Sequence, residues 1–77
     1  MDIQSFIQNF AEQFDDIDVS ALSPSTKFHE LDDYSSIVAL SVISMVDEEY
    51  GVILVGNDLK NALTIEDLFN TVQSKMA

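Results

Sequence analysis

Apolar residues recur along the chain in three stretches with helical spacing. Ile3, Phe6, Ile7, Phe10, Ala11 and Phe14 stand at i, i+3, i+4, i+7, i+8 and i+11, which predicts a first helix from about Asp2 to Phe14. Aromatic and β-branched residues are middling helix formers, so tertiary packing must hold this face and it belongs to the core. Asp2 suits the first turn of that helix, whereas Asp15 and Asp16 sit unfavourably at its negative end and mark the stop. The second stretch is predicted as a helix from Ser36 to Tyr50, with Val38, Ala39, Val42, Ile43, Met45, Val46 and Tyr50 on one broad side and Glu49 as the intruder. Gly51 is placed to end it in the left-handed conformation. In the third stretch Ile65, Leu68, Phe69, Val72 and Met76 follow Thr64-Ile65-Glu66-Asp67, a capping signal with Thr64 as N-cap, and carry a helix to about Lys75.

The segments between these helices are also informative. Val52-Ile53-Leu54-Val55 has the composition of a strand but no strand to pair with, so it is expected to be an extended loop buried against the helices. Asn57-Asp58-Leu59-Lys60 offers a cap and one short helical turn. From Asp15 to Ser35 the period disappears, and Pro24 between Ser23 and Ser25 forbids a helix there. A connection of about twenty residues without regular structure is unusual in a compact domain. Ile17, Val19, Leu22, Phe28 and Leu31 are spaced along it as pins that can hold it to the rest. The expected fold is therefore all-α: one domain spanning residues 1–77, a small four-helix bundle with three long helices, one short one and a long loop between helices 1 and 2.

Composition narrows the functional classes. A chain of 77 residues buries only about 60% of its unfolded surface, and without cysteine it has no disulfide or thiolate zinc site to add stability. Met1-Asp2-Ile3-Gln4 lacks the basic residues and apolar run of a signal peptide, and no stretch approaches the roughly 20 apolar residues of a membrane span, so a cytoplasmic location is expected. Fourteen acidic residues against three basic ones give a net charge of −11, which excludes nucleic acid as a direct partner. At 47% hydrophobic the chain is too apolar for the disordered class. Its charge can steer it to basic surfaces on other proteins or simply keep its own surface solvated.

No enzymatic constellation emerges. His29-Glu30 is half of a zinc-protease motif, but Asp33 stands where the second histidine would be. Asp15-Asp16-Ile17-Asp18 lacks the glycine and terminal glutamate of a calcium loop. Nothing in the sequence places His29 beside Ser36 as a catalytic base would require. Ser36 itself lies where the acidic connection gives way to the second helix, and its hydroxyl can serve as a helix cap. Ile37 and Leu40 fall among Ser41, Ser44, Asp47 and Glu48 on the polar side of that helix, a mixture of apolar anchors and charge that suits docking to another protein.

Taken together, Asp32-Asp33 before Ser36, Ile37 and Leu40 after it, and Glu49-Tyr50-Gly51 at the helix end resemble the acyl carrier protein family. In that family an Asp-Ser-Leu or Asp-Ser-Ile motif opens the second helix, and its serine bears a phosphopantetheine arm. Counting back from Glu49-Tyr50-Gly51 puts the modified serine at Ser36 and the aliphatic position at Ile37. Ser35 stands in the aspartate position, a departure that bears on modification rather than on fold, and Asp32 or Asp33 is available as a substitute. Phe28 and Leu31 fill the family's aromatic and leucine places before the serine, and its brief third helix corresponds to the turn near Asn57.

The resemblance implies a non-enzymatic, monomeric carrier, of the kind used in fatty acid biosynthesis, holding acyl or aminoacyl groups as thioesters on phosphopantetheine at Ser36. It implies partners as well: a phosphopantetheinyl transferase, and acyl- or aminoacyl-handling enzymes whose basic surfaces meet Ile37, Leu40, Ser41, Ser44, Asp47 and Glu48. The alternatives are an unmodified carrier-like interaction module and an acidic mimic that occupies a basic nucleic-acid site.

Overall fold

A computed structural model describes residues 2–76, so Met1 of the opening run lies outside the described residues. Among the described residues the fold is an all-α bundle of four helices: α1 (Ile3–Ala11), α2 (Ser36–Tyr50), α3 (Gly56–Asn61) and α4 (Ile65–Met76). The long connection from α1 to α2 carries two short 3-10 turns, Val19–Ala21 and Phe28–Glu30. The Cα radius of gyration is 11.1 Å, close to the roughly 11.5 Å expected of a folded chain this long. α1 packs against α2 and α4, and α3 against α4.

Local chemistry moves several helix ends away from the positions expected from the pattern. Asp2 is the N-cap of α1 rather than a first-turn residue: its Oδ1 accepts from the Ser5 amide at 2.9 Å and its Oδ2 from the Ser5 hydroxyl at 3.1 Å. α1 stops at Ala11, short of Phe14, because the chain tightens there into bonds from Gln13 N to Phe10 O and from Phe14 N to Ala11 O, both 3.1 Å. Phe14 still reaches the core from that turn. α3 begins at Gly56, one residue before the expected cap at Asn57. Its N-cap is Val55, whose amide donates to Asp58 Oδ2 at 3.0 Å while Asp58 N donates to Val55 O at 3.0 Å. Gly51 closes α2 with φ +67°, the left-handed region where a side chain would be strained.

Phenylalanine rings meet one another within a core that is otherwise aliphatic. Phe6 meets Phe69 edge-on at 5.5 Å and lies 5.8 Å from Tyr50, while Phe10 meets Phe28 edge-on at 5.5 Å. Val42, Val46, Ile65, Leu68 and Val72 complete the fully buried set, and no polar or charged side chain is buried among the described residues. Met76, the last apolar residue of the α4 pattern, is exposed at the end of its helix. After α2, Val52 and Leu54 are buried while Ile53 and Val55 face out, so this extended segment packs as expected without forming a strand.

The long connection belongs to the core through Phe28, fully buried, and Leu22, with Ile17 and Leu31 partly buried against them. Val19 is not a pin: it is 41% exposed, on a 3-10 turn with no buried residue. Backbone polar groups do the remaining work. Ser23 and Thr26 close a turn around Pro24, with Thr26 N donating to Ser23 O at 3.1 Å and Ser23 N to Thr26 Oγ1 at 2.8 Å. The turn presents its carbonyls to the start of α4, where Ile65 N donates to Thr26 O at 3.1 Å and Glu66 N to Pro24 O at 2.9 Å. Those amides have no partner within their own helix, and the connection supplies one.

Candidate functional site at the start of helix α2

Ser35, in extended conformation, is the N-cap of α2, and its hydroxyl accepts from the Val38 amide at 3.3 Å. The capping role open to Ser36 therefore falls to its neighbour. Ser36 is the first helical residue and is exposed, and its hydroxyl makes no hydrogen bond among the described residues. The amides of Ser36 and Ile37 are likewise without a protein partner there, whereas Ala39 N is held by Ser35 O at 2.9 Å. An unengaged hydroxyl thus stands beside two free N–H groups at the positive end of a helix of 15 residues.

Ile37 is 76% and Leu40 65% exposed, although α2 buries Val42, Met45 and Val46 on its other side. Ile37, Leu40, Ser41, Ser44 and Glu48 line an open groove of about 570 Å³, whose far wall is Asn9 of α1 with Glu12 and Gln13 just past its end. Asp47 is exposed but outside this groove. Asn9, Glu12 and Gln13 were not among the sequence candidates. Their signal was their place on the polar side of the first helix expected from the sequence, at i, i+3 and i+4, which reveals a face but not what lies across from it.

A second hollow, about 520 Å³, brings Asp15, Asp16 and Asp33 to the neighbourhood of Ser35, Ile37 and Ser41. Of the two acids available to replace the motif aspartate, Asp33 lines this hollow and Asp32 does not. Among the described residues no group of acids and histidines is arranged to hold a metal ion. None of the three lysines lines either groove, and the ion pair found among the described residues, Lys75 Nζ to Asp58 Oδ2 at 3.7 Å, lies on α3 and α4. The surface around Ser36 is left electronegative.

His29 is occupied elsewhere. Its Nε2 lies 2.9 Å from both Leu59 O and Ala62 O, at the end of α3. Two carbonyl partners require Nε2 to carry the hydrogen, so that nitrogen serves neither as base nor as metal ligand. Tyr34, packed edge-on against Phe28 and His29, has its hydroxyl pKa raised by burial.

The fold and site define a class: a small acidic four-helix bundle with a long, anchored first connection and an exposed serine opening its longest helix. No family model matches the chain, and no curated protein or solved structure matches it significantly. No helix among the described residues is long and apolar enough to cross a membrane.

Proposed function

We propose that this chain is a monomeric carrier domain of the cytoplasm that accepts phosphopantetheine on Ser36 and presents acyl or aminoacyl groups to partner enzymes. The observation that carries the reading is the division of labour at the start of α2: Ser35 caps the helix, which leaves the Ser36 hydroxyl exposed and unbonded. A phosphodiester on that oxygen would sit beside the free Ser36 and Ile37 amides, at a helix end that favours negative charge. When attached, the group supplies a thiol that holds an acid as a thioester. The protein contributes the anchoring oxygen and a recognisable surface. Ile37 and Leu40 are apolar anchors for a partner, Ser41 and Ser44 lie between them and the acids, and Asp47 and Glu48 favour a basic enzyme surface.

The test is intact mass after incubation with coenzyme A and a phosphopantetheinyl transferase. The wild-type chain should gain one phosphopantetheine and Ser36→Ala none. A gain by Ser36→Ala together with none by Ser35→Ala would shift the site by one residue.

Ser35 in the aspartate position favours a second reading, an unmodified interaction module that keeps the exposed Ile37 and Leu40. Ser35→Asp separates the two, because aspartate caps a helix as well as serine and should leave the fold intact. Modification of Ser35→Asp but never of wild type would favour the module. Equal rates would show the departure to be harmless.

A further inference from the structure

His29 lies in the 3-10 turn Phe28–Glu30, yet its nitrogen bonds reach the far end of the chain's shortest helix. α3 has six residues, and the chain leaves it at Ala62 with φ −82° and ψ 127°, without a glycine-based C-cap. Its last carbonyls need donors from elsewhere, and the Nε2 hydrogen, shared between Leu59 O and Ala62 O, is a favourable donor at a helix C-terminus. The same ring lies against Phe28, centroids 4.3 Å apart and planes tilted by 30°, and meets Tyr34 edge-on at 5.1 Å. Phe28 is fully buried against Phe10, which makes it a fixed base for the histidine. Tyr34 also meets Phe28, at 5.3 Å, and immediately precedes Ser35, the cap of α2.

We infer that His29 is a positioning residue that couples the end of α3 to the segment delivering Ser36. One side of the ring system holds α3 through hydrogen bonds, and the other holds Tyr34 through ring contacts. α3 is the shortest helix and the natural place for local opening. Release of its end removes the bonds that orient the His29 ring, and with them one of the two rings against which Tyr34 is set. Loosening of α3 is thus transmitted to residues 34–38 and to the geometry of Ser36. The coupling goes beyond the carrier reading and holds whether or not Ser36 is modified.

Amide hydrogen exchange by NMR on the full, unmodified chain tests this independently of any transferase. Val55 and Asp58 amides report on α3, Tyr34 and Val38 amides on the approach to Ser36, and the Leu68 amide, bonded to Thr64 O, on the rest of the bundle. His29→Phe keeps an aromatic ring but removes the donor. It should speed exchange about tenfold at both reporting pairs and leave Leu68 unchanged. His29→Gln returns N–H donors and should bring Val55 and Asp58 back to within about threefold of wild type. Faster exchange in His29→Phe at α3 alone, at neither pair, or equally at Leu68 would overturn the coupling. So would failure of His29→Gln to restore α3.

Discussion

The starts of α2 and α4 solve the same problem in opposite ways. Each leaves backbone amides without partners in its own helix. At α4 the protein supplies a partner for every one of the first four: Thr26 O for Ile65 N, Pro24 O for Glu66 N, Thr64 Oγ1 for Asp67 N and Thr64 O for Leu68 N. Asp67 Oδ2 returns the favour by accepting from the Leu63 and Thr64 amides at 3.1 and 3.2 Å. At α2 only the third and fourth amides are held, both by Ser35, and those of Ser36 and Ile37 have no protein partner among the described residues. One helix start is a structural joint. The other is left without partners from the rest of the protein.

The contrast is broken most severely by removing what holds the joint together. Phe28→Ala deletes a fully buried ring that anchors the connection against Phe10 of α1, and should cost about 3–5 kcal/mol in denaturant unfolding. A loss below about 1 kcal/mol would mean that the connection is not part of the core. Ile37→Ala, at the free start, should by contrast stay within about 0.5 kcal/mol of wild type.

Next in size is the cap of α4. Thr64→Ala removes the acceptor for Asp67 N and should cost about 1 kcal/mol, within the usual 0.5–2 kcal/mol for such changes.

The two serines of α2 sharpen the comparison at a finer scale. Ser35→Ala should cost about 0.5 kcal/mol, the low end for caps, because its bond to Val38 N is long at 3.3 Å. Ser36→Ala should change stability less than that, since its hydroxyl bonds to nothing in the bundle. The reverse order in chemical denaturation would return the cap to Ser36.

Charge acts on both regions without distinguishing them. With a net charge of −11 and one ion pair among the described residues, raising salt to physiological levels should raise the melting temperature, because screening relieves the summed repulsion. A fall would mean that attractive pairs dominate. The same salt should slow association with a basic partner at α2.

The smallest effect is the acid response of two exposed caps. The Asp2 carboxyl is held below its ordinary pKa by the Ser5 amide and then the Ser5 hydroxyl, and that of Asp18 by the Ser20 hydroxyl and then the Ser20 amide. A depressed folded value means that the stabilisation is full above the unfolded pKa of about 3.9 and is lost as pH falls through the folded value. The stability difference between wild type and Asp18→Asn should therefore shrink as pH is lowered from about 5 to about 2. A difference that grows in acid would contradict the assignment.

Much of the bundle was legible because helices advertise themselves locally. The spacing of Phe6, Phe10, Leu68 and Val72, the glycine after Tyr50 and the Thr64 capping signal depend on neighbours within a turn or two, so the sequence alone determines helices 1, 2 and 4 and most of their ends. The exposure of Ile37 and Leu40 followed from the same wheel that buried Val42 and Val46. Tertiary structure decided what depends on partners distant in sequence. No side-chain pattern marks the carbonyls of Pro24 and Thr26 as caps for α4, because every residue carries a carbonyl and only packing chooses which one meets Ile65 and Glu66. His29 could be read as base, ligand or spectator until Leu59 and Ala62 claimed its nitrogen. The choice between Ser35 and Ser36 as the cap rested on a backbone turn of one residue, within the uncertainty of any helix boundary read from sequence. That choice, made by the fold, is what leaves the Ser36 hydroxyl free.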